Sequence, residues 1–123
     1  MSMTKRYRRS GLVTTSALRD IYAMAETQAT VVGSFESFRA SSLKAGADEV
    51  VERRWGPGQI VETHTHPFDA DALVTEGEMW LTIGGGTRQL RPGDRFHIAS
   101  GTPHSERYGP QGATYWVARR NAR

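Results

Sequence analysis

His64 and His66 stand two residues apart, and a third histidine, His104, lies forty residues further on. Residues at i and i+2 of a strand share a face, roughly 6.5–7 Å apart. Two imidazoles at that spacing can converge on one ion, and divalent first-row metals accept neutral imidazole readily. The plain alternative is a pair of exposed strand histidines satisfied by water. Pro67 follows the pair at once and pins its position. His104 follows a tight Gly101-Thr102-Pro103 turn, which aims it. The chain has no cysteine, which excludes disulfides, cysteine-held zinc, iron–sulfur clusters and thiol catalysis. Any metal must be held by His, Asp or Glu.

Other residues carry weaker signals. Glu62 shares the expected strand face of His64 and His66, so it lines the mouth of a pocket there and is a candidate for proton transfer. A rim carboxylate is the ordinary reading of it. Trp55 and Tyr108, with Tyr115, wall a cavity or fill a core. His97 alternates away from Phe96 and Ile98, which puts it on a surface or interface. Gly84-Gly85-Gly86 lacks a following Lys-Ser/Thr and a helix, so it reads as a hairpin loop and not a phosphate cradle.

The elements that must position these residues are mostly strands. Turn signals arrive every 8–12 residues from Glu49 onward: Gly56-Pro57-Gly58, Gly84-Gly85-Gly86, Pro92-Gly93-Asp94, Gly101-Thr102-Pro103 and Gly109-Pro110-Gln111-Gly112. Between them lie alternating or β-rich segments at 50–55, 59–66, 72–75, 79–83, 87–90, 95–99, 105–108 and 114–119. That rhythm predicts a sandwich or barrel. Upstream, Leu18, Ile21, Tyr22 and Ala25 follow a helical pattern capped by Thr15 or Ser16. A second helix is expected over 34–45, with Ser34 as its cap and Gly46 as its stop. A chain of 123 residues allows one domain with a small core.

Charge divides the chain. Residues 1–19 carry five basic and no acidic side chains, whereas the rest carries 11 basic and 13 acidic. The net +3 therefore belongs to an arm. The expected division is a basic flexible arm at 1–14, a helical segment at 15–48 that packs on the strands, and a β-domain at 49–120. The arm is free to touch phosphates nonspecifically, but a near-neutral body predicts no specific nucleic-acid partner. The longest apolar run covers 21–25, far short of a membrane span, and no apolar stretch follows the basic start in the manner of a secretory signal. A cytoplasmic location, away from membranes, is expected.

The β-domain resembles the cupins. Their first motif is Gly, five residues, His-x-His, three or four residues, Glu, six residues, Gly; here Gly58 leads through five residues to His64-Thr65-His66, with Gly77 beyond. Their second is Gly, five residues, Pro-x-Gly, two residues, His, three residues, Asn; here Gly93 leads to Ala99-Ser100-Gly101-Thr102-Pro103-His104. Ala99 replaces the motif's Pro and Tyr108 its Asn. The resemblance covers about residues 50–119. It implies a mostly β fold, a small antiparallel jelly-roll barrel with a short helical N-terminal extension, in which His64, His66 and His104 ligate a metal. The motif's Glu falls at Asp71 by one count and Ala70 by the other. Asp71, or Asp69 beside it, is thus a candidate fourth ligand or neighbour of the ligands. Three histidines alone, with water or substrate in the other positions, is the competing site.

By the same resemblance the cofactor is one divalent transition metal: zinc, nickel, iron, manganese or copper. The implied activity is oxygenase, isomerase, decarboxylase or hydrolase chemistry on a small polar molecule. A non-catalytic small-molecule binder or sensor is the second reading, and a tether built on the basic arm is the third. A thin core and open strand edges predict a homodimer.

Overall fold

The computed structural model describes residues 33–121. The expected arm at 1–14 and the expected helix ending at Ala25 lie outside the described residues.

The second expected helix is present as α1, Phe35–Lys44. Ser34 caps it with extended backbone, its hydroxyl accepting from the Ser37 N–H at 3.1 Å. Gly46, at φ 110°, turns the chain away after Ala45. Six strands follow: β1 Glu49–Trp55, β2 Ile60–His64, β3 Phe68–Ile83, β4 Gly86–Leu90, β5 Arg95–Ile98 and β6 His104–Asn121.

The two long strands carry the fold. β3 and β6 run antiparallel against each other from Phe68↔Asn121 to Ile83↔His104. Each is flanked by two short strands in succession. β6 pairs β2 along its first part and β1 along its last; β3 pairs β5 and then β4. The reading of 72–75 and 79–83 as separate strands, and of 105–108 and 114–119 likewise, is corrected: each pair is one continuous strand with a bend. Register shifts lie between Val74 and Glu76 and between Gly77 and Met79. They change the phase of the pleat. Ala70, Ala72 and Val74 are buried on one side of the bend, and Met79 and Leu81 on the other; on β6 the phase passes from Tyr108 to Ala113, Tyr115 and Val117. Extra residues in a ladder bend a strand and increase its twist, so both halves of the sheet can turn an apolar side toward one interior.

Glycine makes the bend possible. Gly77 has φ +72°, and a Cβ there would sit 2.0 Å from the Gly112 carbonyl oxygen. Gly112 also has φ +72°, and a Cβ on it would meet the Trp55 oxygen at 2.2 Å. Two backbones thus approach as closely as only glycine permits.

Hydrogen bonding among the described residues does not close the sheet. Its path runs β1–β6–β3–β4, with β2 and β5 paired beside it. The expected mostly β, antiparallel fold with a short helix before it is present, and its sheet is open and bent: edge strands β4 and β5 hydrogen-bond to β3 and not onward to β1 or β2. The main core gathers Val74, Met79, Leu90, Phe96, Tyr108 and Tyr115 with their neighbours. A second cluster on the outer side holds α1 in place. There Phe38, Leu73, Trp116 and Ala118 are buried together, and the rings of Phe35 and Phe38 each lie 5.7 Å from Trp116. Glu52 accepts the Trp116 indole N–H at 3.0 Å, which fixes that ring. No helix among the described residues is long and apolar enough to cross a membrane.

Candidate metal centre

The three expected histidines come together. Each reaches the same place by a different local device. β2 begins after the 56–58 turn and pairs β6 through Ile60↔Arg107, Val61↔Glu106 and His64↔His104, with a shift between Val61 and His64. One extra residue in β2 reverses its phase. Val61 packs on the core, and His64, three residues on, turns to the same side. His66 lies just past the strand. Its carbonyl accepts the Gly101 N–H at 2.9 Å, and its ring stacks on Phe68 with centroids 4.3 Å apart and planes 2° apart. His104 opens β6 after the 99–103 turn, where the Thr102 N–H donates to the Ala99 carbonyl.

One ring nitrogen from each histidine lies within 4.8 Å of the others. Ring centroids are 4.3 Å apart for His64 and His104, 4.7 Å for His66 and His104, and 5.7 Å for His64 and His66. His64 Nδ1 lies 2.8 Å from the Glu62 carbonyl oxygen, and His104 Nδ1 lies 2.8 Å from that of Thr102. A carbonyl only accepts, so each Nδ1 carries the hydrogen. In the neutral rings each Nε2 then presents a lone pair. Donating the far N–H to a backbone carbonyl is what orients a ligating imidazole and fixes its tautomer. The His104 Nε2 is buried without a hydrogen-bond partner, as is the His66 Nδ1. Buried polar atoms are normally paired. Two unpaired nitrogens in one cluster of imidazoles fit a divalent cation. His66 is held below the ordinary imidazole range, chiefly by burial and next by the neighbouring His104. The neutral form is the one a metal takes.

A carboxylate that the sequence reading missed stands beside the cluster. Glu106 is buried, with Oε2 3.5 Å from His104 Nε2. Tyr108 donates its hydroxyl to the other oxygen, Oε1. Burial pushes the Tyr108 phenol well up, with Tyr115 and Glu106 adding to the shift, and burial pushes Tyr115 up too. Tyr108 therefore remains a donor. The signal for Glu106 was available: His104, Glu106 and Tyr108 alternate on one strand face.

The remaining expected residues stand elsewhere. Asp71 is exposed and lies 2.7 Å from His97 Nδ1, opposite it on β5. Asp69 accepts the Ser100 N–H at 2.8 Å. Neither joins the three histidines, because in this phase Ala70 and Ala72 take the inward positions. Glu62 is exposed within the β2 bulge, so the expectation that it shares the face of His64 is corrected. It lines a groove of about 320 Å³ with Ile60, Trp80, Thr82, Glu106 and Arg107, and none of the three histidines lines that groove. Trp55 stacks on Tyr108, 5.3 Å between centroids, and Arg53 lies over Trp55 at 4.6 Å. Tyr108 is wholly buried in the main core, so it backs Glu106 instead of fronting an open pocket.

Comparison with known proteins agrees with the fold. A family model described as the cupin domain matches residues 51–111. An RmlC-like cupin from Shewanella frigidimarina superposes with a TM-score of 0.55 at 24% identity, over 61% of this chain and 67% of that one. The DMSP lyase DddQ from Ruegeria pomeroyi gives 0.52 at 29% identity, over 58% of this chain and 36% of that one. A variant of oxalate decarboxylase from Bacillus subtilis gives 0.56 at 25% identity, over 68% of this chain and 24% of that one. This chain thus spans about a third of the lyase and a quarter of the decarboxylase. No curated protein sequence matches it.

Proposed function

As a chain that carries a small cupin domain, this protein is, we propose, a metal-dependent enzyme acting on a small polar molecule. His64, His66 and His104 hold the ion in this reading. The observation that carries it is the set of three ring nitrogens within 4.8 Å of one another, with the His104 Nε2 buried and unpartnered. The donor set is all imidazole, which suits zinc, nickel, iron, copper or manganese in differing degrees. When bound, such an ion supplies Lewis acidity toward a substrate oxygen or activates water or oxygen. The chain's own contribution is positional. The Glu62 and Thr102 carbonyls hold two imidazoles with Nε2 forward, and Phe68 fixes the plane of the third. The class of reaction is oxygenase, isomerase, decarboxylase or hydrolase. Two structural neighbours carry the names of a lyase and a decarboxylase, which directs the choice of compounds to small acids first. The reading also includes a homodimer, whose partner covers open sheet edges, and a cytoplasmic location.

The test is product formation. Metal-loaded and metal-stripped protein are incubated with oxalate, DMSP, small hydroxy and keto acids, sugars and phenols, and followed by NMR and oxygen consumption. Turnover by the loaded form alone is expected. Thermal stabilisation by one of these compounds with no product contradicts the enzyme reading and supports a binding or sensor cupin instead.

A further inference from the structure

We propose that Glu106 is an oxygen ligand of this metal site, supplied by β6 in place of the aspartates that follow the histidine pair. The inference rests on the three-histidine reading above and adds a donor to it. Asp69 and Asp71 are engaged with Ser100 and His97 on the outer side of β3. Glu106 faces His104, with Oε2 3.5 Å from Nε2, and stands outside the set of three ring nitrogens that lie within 4.8 Å of one another, so an ion shared by all four draws that oxygen toward His64 and His66.

Its geometry suits a shared ion better than a direct contact with His104. The separation of Oε2 and His104 Nε2 is 3.5 Å, too long for a hydrogen bond between them. Two donors that each sit about 2.1 Å from one tetrahedral ion are about 3.4 Å apart. The groups around Glu106 leave the same oxygen available. Oε1 is taken by the Tyr108 hydroxyl, while Oε2 points at a nitrogen whose own hydrogen is on the far side of the ring, bonded to Thr102. A carboxylate oxygen and an imidazole lone pair facing each other in a buried space repel unless something cationic lies between them. Val61, opposite Glu106 in the ladder, offers no charge to do so. Tyr108 is a positioning residue in this arrangement. It holds one oxygen back and presents the other, and β6 places His104, Glu106 and Tyr108 in one file.

Zinc alone is the probe. Its affinity is measured at fixed pH, by competition with a chromophoric chelator, for the wild type, Glu106→Gln and His64→Ala. A crystal structure of the zinc-loaded wild-type protein accompanies the titrations. Glu106→Gln is expected to bind at least about 100-fold more weakly, the upper end of what losing even a group that only orients a ligand costs. The loaded structure is expected to show Oε2 at about 2.0–2.2 Å from zinc. Wild-type affinity in Glu106→Gln, with binding lost in His64→Ala, overturns the role of Glu106 and leaves the histidine site standing. Undiminished binding in His64→Ala overturns the histidine site itself. If Glu106→Gln does not fold, the loaded wild-type structure decides: an Oε2 beyond about 3 Å from zinc overturns the proposal.

Discussion

His66 shows how much of the site's chemistry is set by what lies around a single ring. It is stacked flat on Phe68, lies 4.7 Å from the His104 ring, and is held below the ordinary imidazole value of 6.5 mainly by burial. In the unfolded chain the ring takes up its proton near that ordinary value. Between the two values the unfolded state binds more protons, so folding stability falls as pH falls. The contribution of His66 is complete above about pH 6.5 and is lost as pH drops through the folded value. Chemical melts of metal-free protein from pH 8 to pH 5 check this. The wild type is expected to lose more stability over that span than His66→Ala, and parallel curves would show that burial does not hold the ring neutral. The three histidines were readable from their spacing and from the cupin motifs. Glu62 was misplaced and Glu106 passed over, for opposite reasons. Glu62 obeys a simple alternation that one extra residue in β2 breaks. Glu106 obeys its alternation, but lies outside the stretch where the motif places its carboxylate.

Among the elements, the bends in β3 and β6 are the feature on which the site depends. His104 opens β6, and Gly112 lies in the same strand at the point where the backbone passes Trp55. Across the ladder Gly77 pairs with Ala113, near the register shifts that change the phase of β3. A side chain at Gly77 meets two penalties: a left-handed backbone and a carbonyl oxygen 2.0 Å from the new Cβ. Gly77→Ala is expected to lower stability by at least about 2 kcal/mol, since the backbone strain alone is of that order. Urea denaturation measures it, and a loss below about 0.5 kcal/mol would be the size of an unconstrained surface change. Local signals made α1 legible, through the Ser34 cap and Gly46. Local signals also misled: Gly109-Pro110-Gln111-Gly112 has turn composition, yet it is the bend of a continuous strand. Pairing with β1, β2 and β3 on either side outweighs the preference of those four residues.

Taken whole, the described residues form one bent sheet with α1 covering part of its outer face and a histidine cluster where β2, the segment after it and the start of β6 meet. The likeness to cupins was legible because the histidine spacing holds although Ala99 stands where the motif has Pro. Which strands pair across the sheet, and so which edges stay open, was not, because that pairing depends on contacts between segments far apart in sequence, which alternation does not encode. Net charge is uninformative about the cluster, since the basic excess belongs to residues 1–19 and the remainder is nearly balanced. The central claim concerns the metal. Elemental analysis of untagged wild-type protein, beside His64→Ala, His66→Ala and His104→Ala purified in the same way, tests it most directly. The three-histidine site predicts about one transition-metal ion per wild-type chain and a marked loss in every variant; equal metal in wild type and variants would contradict it.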